Sequence, residues 1–582
     1  MSALRLRLIA RYLRPHRRRV AIGAAALLVV NLLGVAIPLQ VRAVVNELNR
    51  GFTLAAVLQQ AGLIVLMATV MGGVRLWSRM LVFGVGRQVE AELKQRIFDH
   101  VLRQEPGWVQ ETGSGEVISR ATSDVENVRR LLGFAVLSLT NTALSYALTL
   151  PAMLAIDPWL SLAALGLYPL MLLVVRLFGG RMMRQQRRQQ ENLAQLSDLI
   201  QEDLSGIGAI KIYGQERTEQ EAFERLNQAY RDAALALGRT RSTLFPMLEG
   251  IASVSLLLLI AFGSGQIENG RLSIGGLVAL ILYVERLVFP TALLGFTLNT
   301  FQTGQVSLER VEALLERRPL IVSPQHPIPP APHPGGAIEA RGLEVRYPGA
   351  GRAVLRDLSF RIEPGELVAV VGPVGCGKTT LARALGRMVE VPAGSLYLDG
   401  VDVTELELEQ LRRQVALVPQ EGFLFTATLA DNLRYGDPQA SDALVEKAAQ
   451  MARLEADIRG FPDGYATLVG ERGITLSGGQ RQRTALGRAL LLEAPLLVLD
   501  DALASVDNTT AAEILRSVRQ QRHRTVLMIS HQLSAAAACD RILVLEDGRL
   551  VQTGRHSDLV QQPGTYRRLW EREQASERLQ AA

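Results

Sequence analysis

The residues from Gly372 to Thr380 read Gly-Pro-Val-Gly-Cys-Gly-Lys-Thr-Thr. This is the spacing of a loop that wraps phosphates. Gly372, Gly375 and Gly377 free backbone N–H groups to turn toward an anion, and Pro373, Val374 and Cys376 fill the positions between them. Lys378 is placed to reach β- and γ-phosphates. The Thr379 hydroxyl is a ligand for Mg²⁺, and Thr380 opens a helix whose N-terminal dipole favours negative charge. An apolar stretch over 366–371 predicts the strand before the loop, and Leu381 onward predicts the helix after it. A second apolar run, Leu496 to Asp500, predicts a strand ending in a carboxylate. Downstream of a phosphate loop, such an Asp holds Mg²⁺. ATP and Mg²⁺ are therefore the expected ligands.

A third motif, Leu476-Ser477-Gly478-Gly479-Gln480, resembles the signature of ATP-binding cassette (ABC) proteins. In that family two nucleotide domains pair head to tail, and each signature closes over the γ-phosphate held by the other domain. The resemblance implies further roles, position by position. Tyr347 matches the aromatic that stacks on adenine. Gln420 matches the Gln that touches Mg²⁺ and the attacking water. Asp507 matches a residue that communicates across the domain interface, and His531 matches the switch His at the γ-phosphate. Gly470-Glu471-Arg472-Gly473 resembles an exporter-type loop that meets the partner's cytoplasmic helices. In the N-terminal half, Thr112–Arg120 with Ser123-Asp124-Val125 resembles the first coupling segment of such exporters, and Gly206–Glu216 the second.

One position departs from the pattern. The family usually carries Glu immediately after the Mg²⁺-binding Asp, where it polarises the attacking water. Here the residue is Asp501, one methylene shorter. A catalytic group misplaced by about 1 Å can lose on the order of 10²-fold in rate. The expectation is an own site that binds ATP but hydrolyses it poorly, beside an intact signature that completes a partner's site. This resembles the degenerate-site half of a heterodimeric, TmrAB-like bacterial multidrug exporter. Two alternatives remain at this point: a homodimer in which Asp501 is a competent base, and a non-transporting ATP-regulated channel or sensor subunit.

These motifs need elements to hold them. Hydrophobic residues make up 48% of the 582 and charged ones 21%, which fits a chain that is part in lipid and part in water. Apolar runs near 20–45, 54–78, 131–152, 158–178, 244–266 and 273–296 are each long enough to span a bilayer. The short connections carry few positive charges. The long ones, about 79–130 and 179–243, are crowded with Arg, so they are expected on the cytoplasmic side as extended helices. No nucleic-acid motif accompanies the basic balance, and no nucleic acid is expected as a partner. Cys376 and Cys539 have no metal-ligand spacing.

The predicted organisation is an all-α six-helix membrane domain plus a cytosolic α/β phosphate-loop domain. Residues 1–19 form a basic amphipathic elbow helix on the membrane face. Residues 20–318 form the membrane domain, 319–336 a Pro-rich linker, and 337–582 the nucleotide-binding domain. The expected setting is a bacterial inner (plasma) membrane. The expected partners are a second half-transporter, the lipid bilayer, and an amphipathic or peptide substrate.

Glu285 and Arg286 fall about 12 residues into the sixth run, roughly 18 Å along a helix. They could pair or line a substrate cavity. Ser138, Asn141, Thr142 and Ser145 in the third run could do the same. Arg42, Arg75 and Arg176 fall near span ends and are expected to snorkel to headgroups.

Overall fold

The computed structural model describes residues 3–581, apart from 49–52, 350, 471, 472, 474, 475 and 521–523. Glu471 and Arg472 of the exporter-type loop therefore lie outside the described residues. The chain divides into two compact units. The first is Met1–Leu102 with Gly113–Arg317, and the second is Arg103–Thr112 with Arg318–Ala582.

The first unit holds six helices long and apolar enough to cross a membrane: Arg17–Leu48, Leu54–Val101, Ser114–Leu154, Pro158–Ser205, Glu216–Glu268 and Ile274–Glu316. Local sequence sets their starts. Thr53, Asp157 and Ser273 each accept a backbone N–H of the first turn, and Pro158 takes the first helical position, where its missing N–H costs nothing. The fifth helix has 53 residues, about 80 Å at the usual rise, far more than a bilayer core of about 30 Å requires. The Arg-rich connections are thus helices continuing out of the spans, as their composition predicts.

The cytoplasmic ends of the third and sixth helices are clamped by polar groups. Ser307 donates to Asp124 at 2.7 Å, and Arg310 reaches Asp124 at 3.3 Å and Glu116 at 3.3 Å. The elbow helix, Ala3–Leu13, is tied down as well. Arg11 pairs with the buried Glu312 at 3.0 Å, and the Tyr12 hydroxyl donates to the same carboxylate.

In the second unit two sheets pack. Strands β1 (Ile338–Val345), β2 (Leu355–Ile362), β4 (Leu396–Leu398) and β5 (Val401–Asp402) form an antiparallel sheet in the order β2-β1-β4-β5. The other sheet holds β3 (Leu367–Val371), β6 (Val415–Val418), β7 (Leu496–Asp500), β8 (Thr525–Ile529), β9 (Arg541–Glu546) and β10 (Arg549–Gly554). Its order is β10-β9-β3-β8-β7-β6, parallel except at β10. The unbroken apolar runs in β3, β7 and β8 follow from burial on both faces. Leu367, Ala369, Val371, Leu497 and Leu499 face one core, while Val368, Val370, Leu496 and Val498 face the other.

Arg103–Thr112, with the short helix Pro106–Thr112 and a buried Trp108, groups with the second unit. Hydrogen bonds anchor the Pro-rich linker within the second unit. The Asp399 carboxylate accepts N–H groups from Gly335, Gly336 and Ala337 at 3.2, 3.1 and 2.8 Å, and Ile328 N donates to Glu405 O at 2.9 Å. Proline has no N–H to donate to a ladder, so the non-proline residues of the segment make these bonds.

Asp399→Ala should destabilise the second unit by about 2 kcal/mol, because three backbone donors lose one charged acceptor. Asp399→Asn keeps part of that. Thermal unfolding of the full chain, read by thiol-dye labelling of the buried Cys376 and Cys539, reports on this unit alone.

Candidate functional site

The register of the parallel sheet assembles the site. Ile529 of β8 pairs with Val370 of β3 on one side and with Asp500 of β7 on the other. The segments leaving these strands therefore emerge side by side, at the carboxyl edge where open α/β sheets bind ligands.

The loop after β3 is tightly seated. A Cβ on Gly372 would lie 2.1 Å from Leu545 O, and one on Gly377, at φ +103°, would lie 2.7 Å from Leu355 Cδ2. The loop leads into the helix Lys378–Leu385. Lys378 is buried, and its Nζ donates to Gly372 O at 2.8 Å and Pro373 O at 3.0 Å, arching over the loop. Burial lowers its pKa, opposed by Cys376, Asp501 and Asp500. Burial also raises the Cys376 thiol, which keeps it protonated next to the ammonium. Val374 stands exposed on the crest.

Thr379 Oγ1 donates to Asp500 Oδ1 at 3.2 Å. Burial pushes the Asp500 carboxyl above the ordinary carboxylate range. The charge of Asp501 adds to this, while Thr379, Arg383 and Lys378 oppose it. A divalent cation at this pair would relieve that cost, so the donor set fits Mg²⁺. Among the described residues no cluster of three or more His, Cys, Asp or Glu could hold a metal by itself. Phosphate oxygens and water would have to complete the coordination, as is usual for Mg²⁺.

Asp501 adopts φ +50°, in the left-handed region that Asp tolerates better than most residues. Its N–H donates to Ile529 O at 2.9 Å, and its Oδ1 accepts the His531 N–H at 3.4 Å. The His531 side chain is exposed. The Tyr347 hydroxyl lies 3.3 Å from Thr380 Oγ1, and the ring packs partly against the core beneath β1.

The signature residues form another surface. Ser477 caps the helix Gly478–Leu491 in a reciprocal box. Its Oγ accepts the Gln480 N–H at 3.2 Å, and its own N–H donates to Gln480 Oε1 at 2.9 Å. No hydrogen bond of Ser477–Gln480 reaches residues 372–380 among the described residues. Asp507 caps the helix Asn508–Arg519, accepting from Thr510 N at 2.9 Å and from the Thr509 hydroxyl. These bonds hold its carboxyl well below the usual range. The sequence reading passed over Gln482. Its Nε2 donates to Gln420 O at 3.5 Å, and its Oε1 accepts the Ser505 N–H at 2.9 Å. It thereby links the exposed Gln420 to the loop between Asp501 and Asp507. The signal was available as a second glutamine two positions after Gln480 on the signature helix.

Known proteins agree with this arrangement. The family model for the ABC transporter transmembrane region matches residues 20–291, and the ABC transporter family model matches 355–504. The multidrug resistance-like ATP-binding protein MdlA of Escherichia coli (strain K12) is 31% identical over 567 residues, 97% of this chain and 95% of that protein. The ATP-dependent lipid A-core flippase of Syntrophus aciditrophicus (strain SB) is 30% identical over 559 residues, 96% and 92% of the two chains. The solved structure of a bacterial Atm1-family ABC exporter with ATP bound superposes with a TM-score of 0.77 at 27% identity, covering 96% of this chain and 98% of that one.

The chain belongs to the ABC transporter family. It is a half-transporter of the exporter type, a multi-pass membrane ATPase with its membrane and cytosolic nucleotide-binding domains on one chain.

The transporter's membrane unit has a cavity of about 830 Å³ walled by the first, second, third and sixth spans. Ser138, Asn141, Thr142 and Ser145 line it, as do Glu285 and Arg286. Among the described residues no ion pair joins Glu285 to Arg286. Arg286 Nη2 instead donates to Asn31 Oδ1 at 3.1 Å, and Asn31 Nδ2 donates to Asn141 Oδ1 at 3.1 Å. Arg75 also lines the cavity. Counting along the run could not show which face of the helix it occupies. Asn31 and Arg79 are lining residues that the sequence did not single out.

Lys378→Ala should weaken ATP binding at this loop tenfold or more, because the phosphates lose a buried cation. Photolabelling of the Gly372–Thr380 peptide reads this, and unchanged labelling would contradict the assignment. Asp500→Asn should separate stability from function. A raised carboxyl contributes stability below its ordinary range and loses it as pH rises through the raised value. The variant should therefore melt higher than wild type at pH 7 without nucleotide, lose that advantage in acid, and bind nucleotide with weaker Mg²⁺ dependence.

Proposed function

We propose that this chain is the degenerate-site half of a heterodimeric exporter in a bacterial inner membrane. It would move amphipathic substrates (drugs, peptides or lipids) out of the cytoplasm or inner leaflet by alternating access. The observation that carries the reading is Asp501. It follows the buried Asp500, and its short carboxylate is turned back onto the His531 N–H. Glu would extend one methylene further toward an attacking water.

In this reading Lys378 and the amides of 372–380 hold the β- and γ-phosphates, and Tyr347 stacks on the base. Thr379, Asp500 and Gln420 hold Mg²⁺, which when bound neutralises phosphate charge. His531 contacts the γ-phosphate of the same site. Ser477, Gly478 and Gly479 face the phosphates held by the second chain, with the helix Gly478–Leu491 presenting its N-terminal dipole. Higher nucleotide affinity of the closed pair supplies the driving force for closure. Exposed apolar residues in the second coupling segment, Ile207, Ile212 and Tyr213, support docking onto a second chain. The bacterial relatives named for multidrug resistance and lipid A-core transfer support amphipathic cargo.

The test is steady-state hydrolysis by the full chain purified alone into vesicles, after ATP binding is established. Turnover should be negligible, and Asp501→Glu should raise it about 10²-fold. Brisk wild-type turnover abolished by Asp501→Asn would replace this reading with a homodimer whose Asp501 is the working base.

A further inference from the structure

We infer that the membrane cavity selects amphiphiles with an anionic head, a phosphate or a carboxylate, and that Arg286 is the residue that reads it. This rests on the exporter reading and narrows its cargo.

Among the residues lining the cavity, Arg75, Arg79 and Arg286 stand against one carboxylate, Glu285. Uncompensated cations inside spans are costly and are kept where they face a pathway or a partner. Arg75 and Arg79 are one helical turn apart, so they share a face of the second span and repel each other unless an anion lies between them. Among the described residues Arg75 donates one hydrogen bond, to Met71 Sδ at 3.7 Å, too weak an acceptor to neutralise a guanidinium.

Arg286 is held differently. Its guanidinium lies against Gly34 of the first span, where a Cβ would come within 1.4 Å of Nη1. Nη2 is oriented by Asn31 Oδ1, which is fixed in turn by Asn31's own bonds to Leu27 O at 2.9 Å and Asn141. Arg286 Nε is buried with no acceptor among the described residues. The seat uses neutral acceptors only, so it orients the fork and leaves its charge unspent. Planar forks of this kind match carboxylate and phosphate oxygens.

Phe134 and Phe296 meet edge to face at 5.5 Å on the same wall, with Phe83 and Phe289 beside them. These rings supply the apolar surface for a tail. A site for a small free anion would not need them.

The experiment is equilibrium binding of dodecyl phosphate, dodecyl maltoside and dodecyltrimethylammonium to the full chain in phosphatidylcholine vesicles. ATP photolabelling of the phosphate loop checks that each variant is folded. Dodecyl phosphate should bind saturably and most tightly. Arg286→Gln should weaken it about tenfold or more and leave the maltoside unchanged. Gly34→Ala displaces only the tip of a flexible side chain, so it should fold normally and weaken the same ligand by less. Inorganic phosphate should compete poorly, because it lacks the tail. Equal affinity for all three head groups, or preference for the cation, would overturn the anion assignment and leave the exporter reading standing. Effective competition by inorganic phosphate would overturn the amphiphile assignment. No saturable binding of any head group would overturn the cavity as a cargo site, and with it the cargo class proposed above.

Discussion

Ile529 of β8 sits in register between Val370 of β3 and Asp500 of β7, and the nucleotide site exists because of that register. A slip of one residue would move each side chain of β8 into the opposite core and carry the loop, Asp500 and His531 out of line. Burial on both faces fixes the register, since Leu367 and Val368 face different cores and neither could exchange. The Asp500 carboxylate, at the end of such a strand, is therefore forced into a low-dielectric edge. Its raised pKa is the energetic trace of a place prepared for a cation.

The same logic separates the two surfaces of the nucleotide domain. The phosphate loop and the Mg²⁺ ligands converge through the sheet. The signature is fixed by its own capping box, on a helix that makes no hydrogen bond to the loop among the described residues. A helix N-terminus with no bond to its own chain's phosphate loop suits completion by another chain. In the proposed heterodimer, a change at Asp501 would therefore weaken one site of the pair and leave the other, which the intact signature completes.

Much of this was legible in the sequence, because the informative residues are close together along it. The phosphate loop, the strand into Asp500, the Ser477–Gln480 cap and the Asp157-Pro158 helix start are local patterns with local causes. Six apolar runs gave six membrane helices for the same reason. The relations that escaped are long-range. Asp399 grips backbone 64 residues upstream, and the Arg286 seat is made by Gly34 and Asn31 in another span. Arg75 was assigned to a span end because depth along a helix can be counted and facing cannot. The grouping of Arg103–Thr112 with the second unit also depends on tertiary packing.

The central claim is that this chain's loop holds ATP while hydrolysis occurs at the site its signature completes on a different chain. The most direct test is to isolate the assembly from its native membrane through a tag on this chain, trap it with vanadate and photoreactive ATP during turnover, and identify the labelled loop. The account predicts one copy of this chain with a second, Glu-bearing half, and vanadate-dependent label on that second chain's loop. Two copies of this chain, with vanadate-dependent label on Gly372–Thr380, would contradict it.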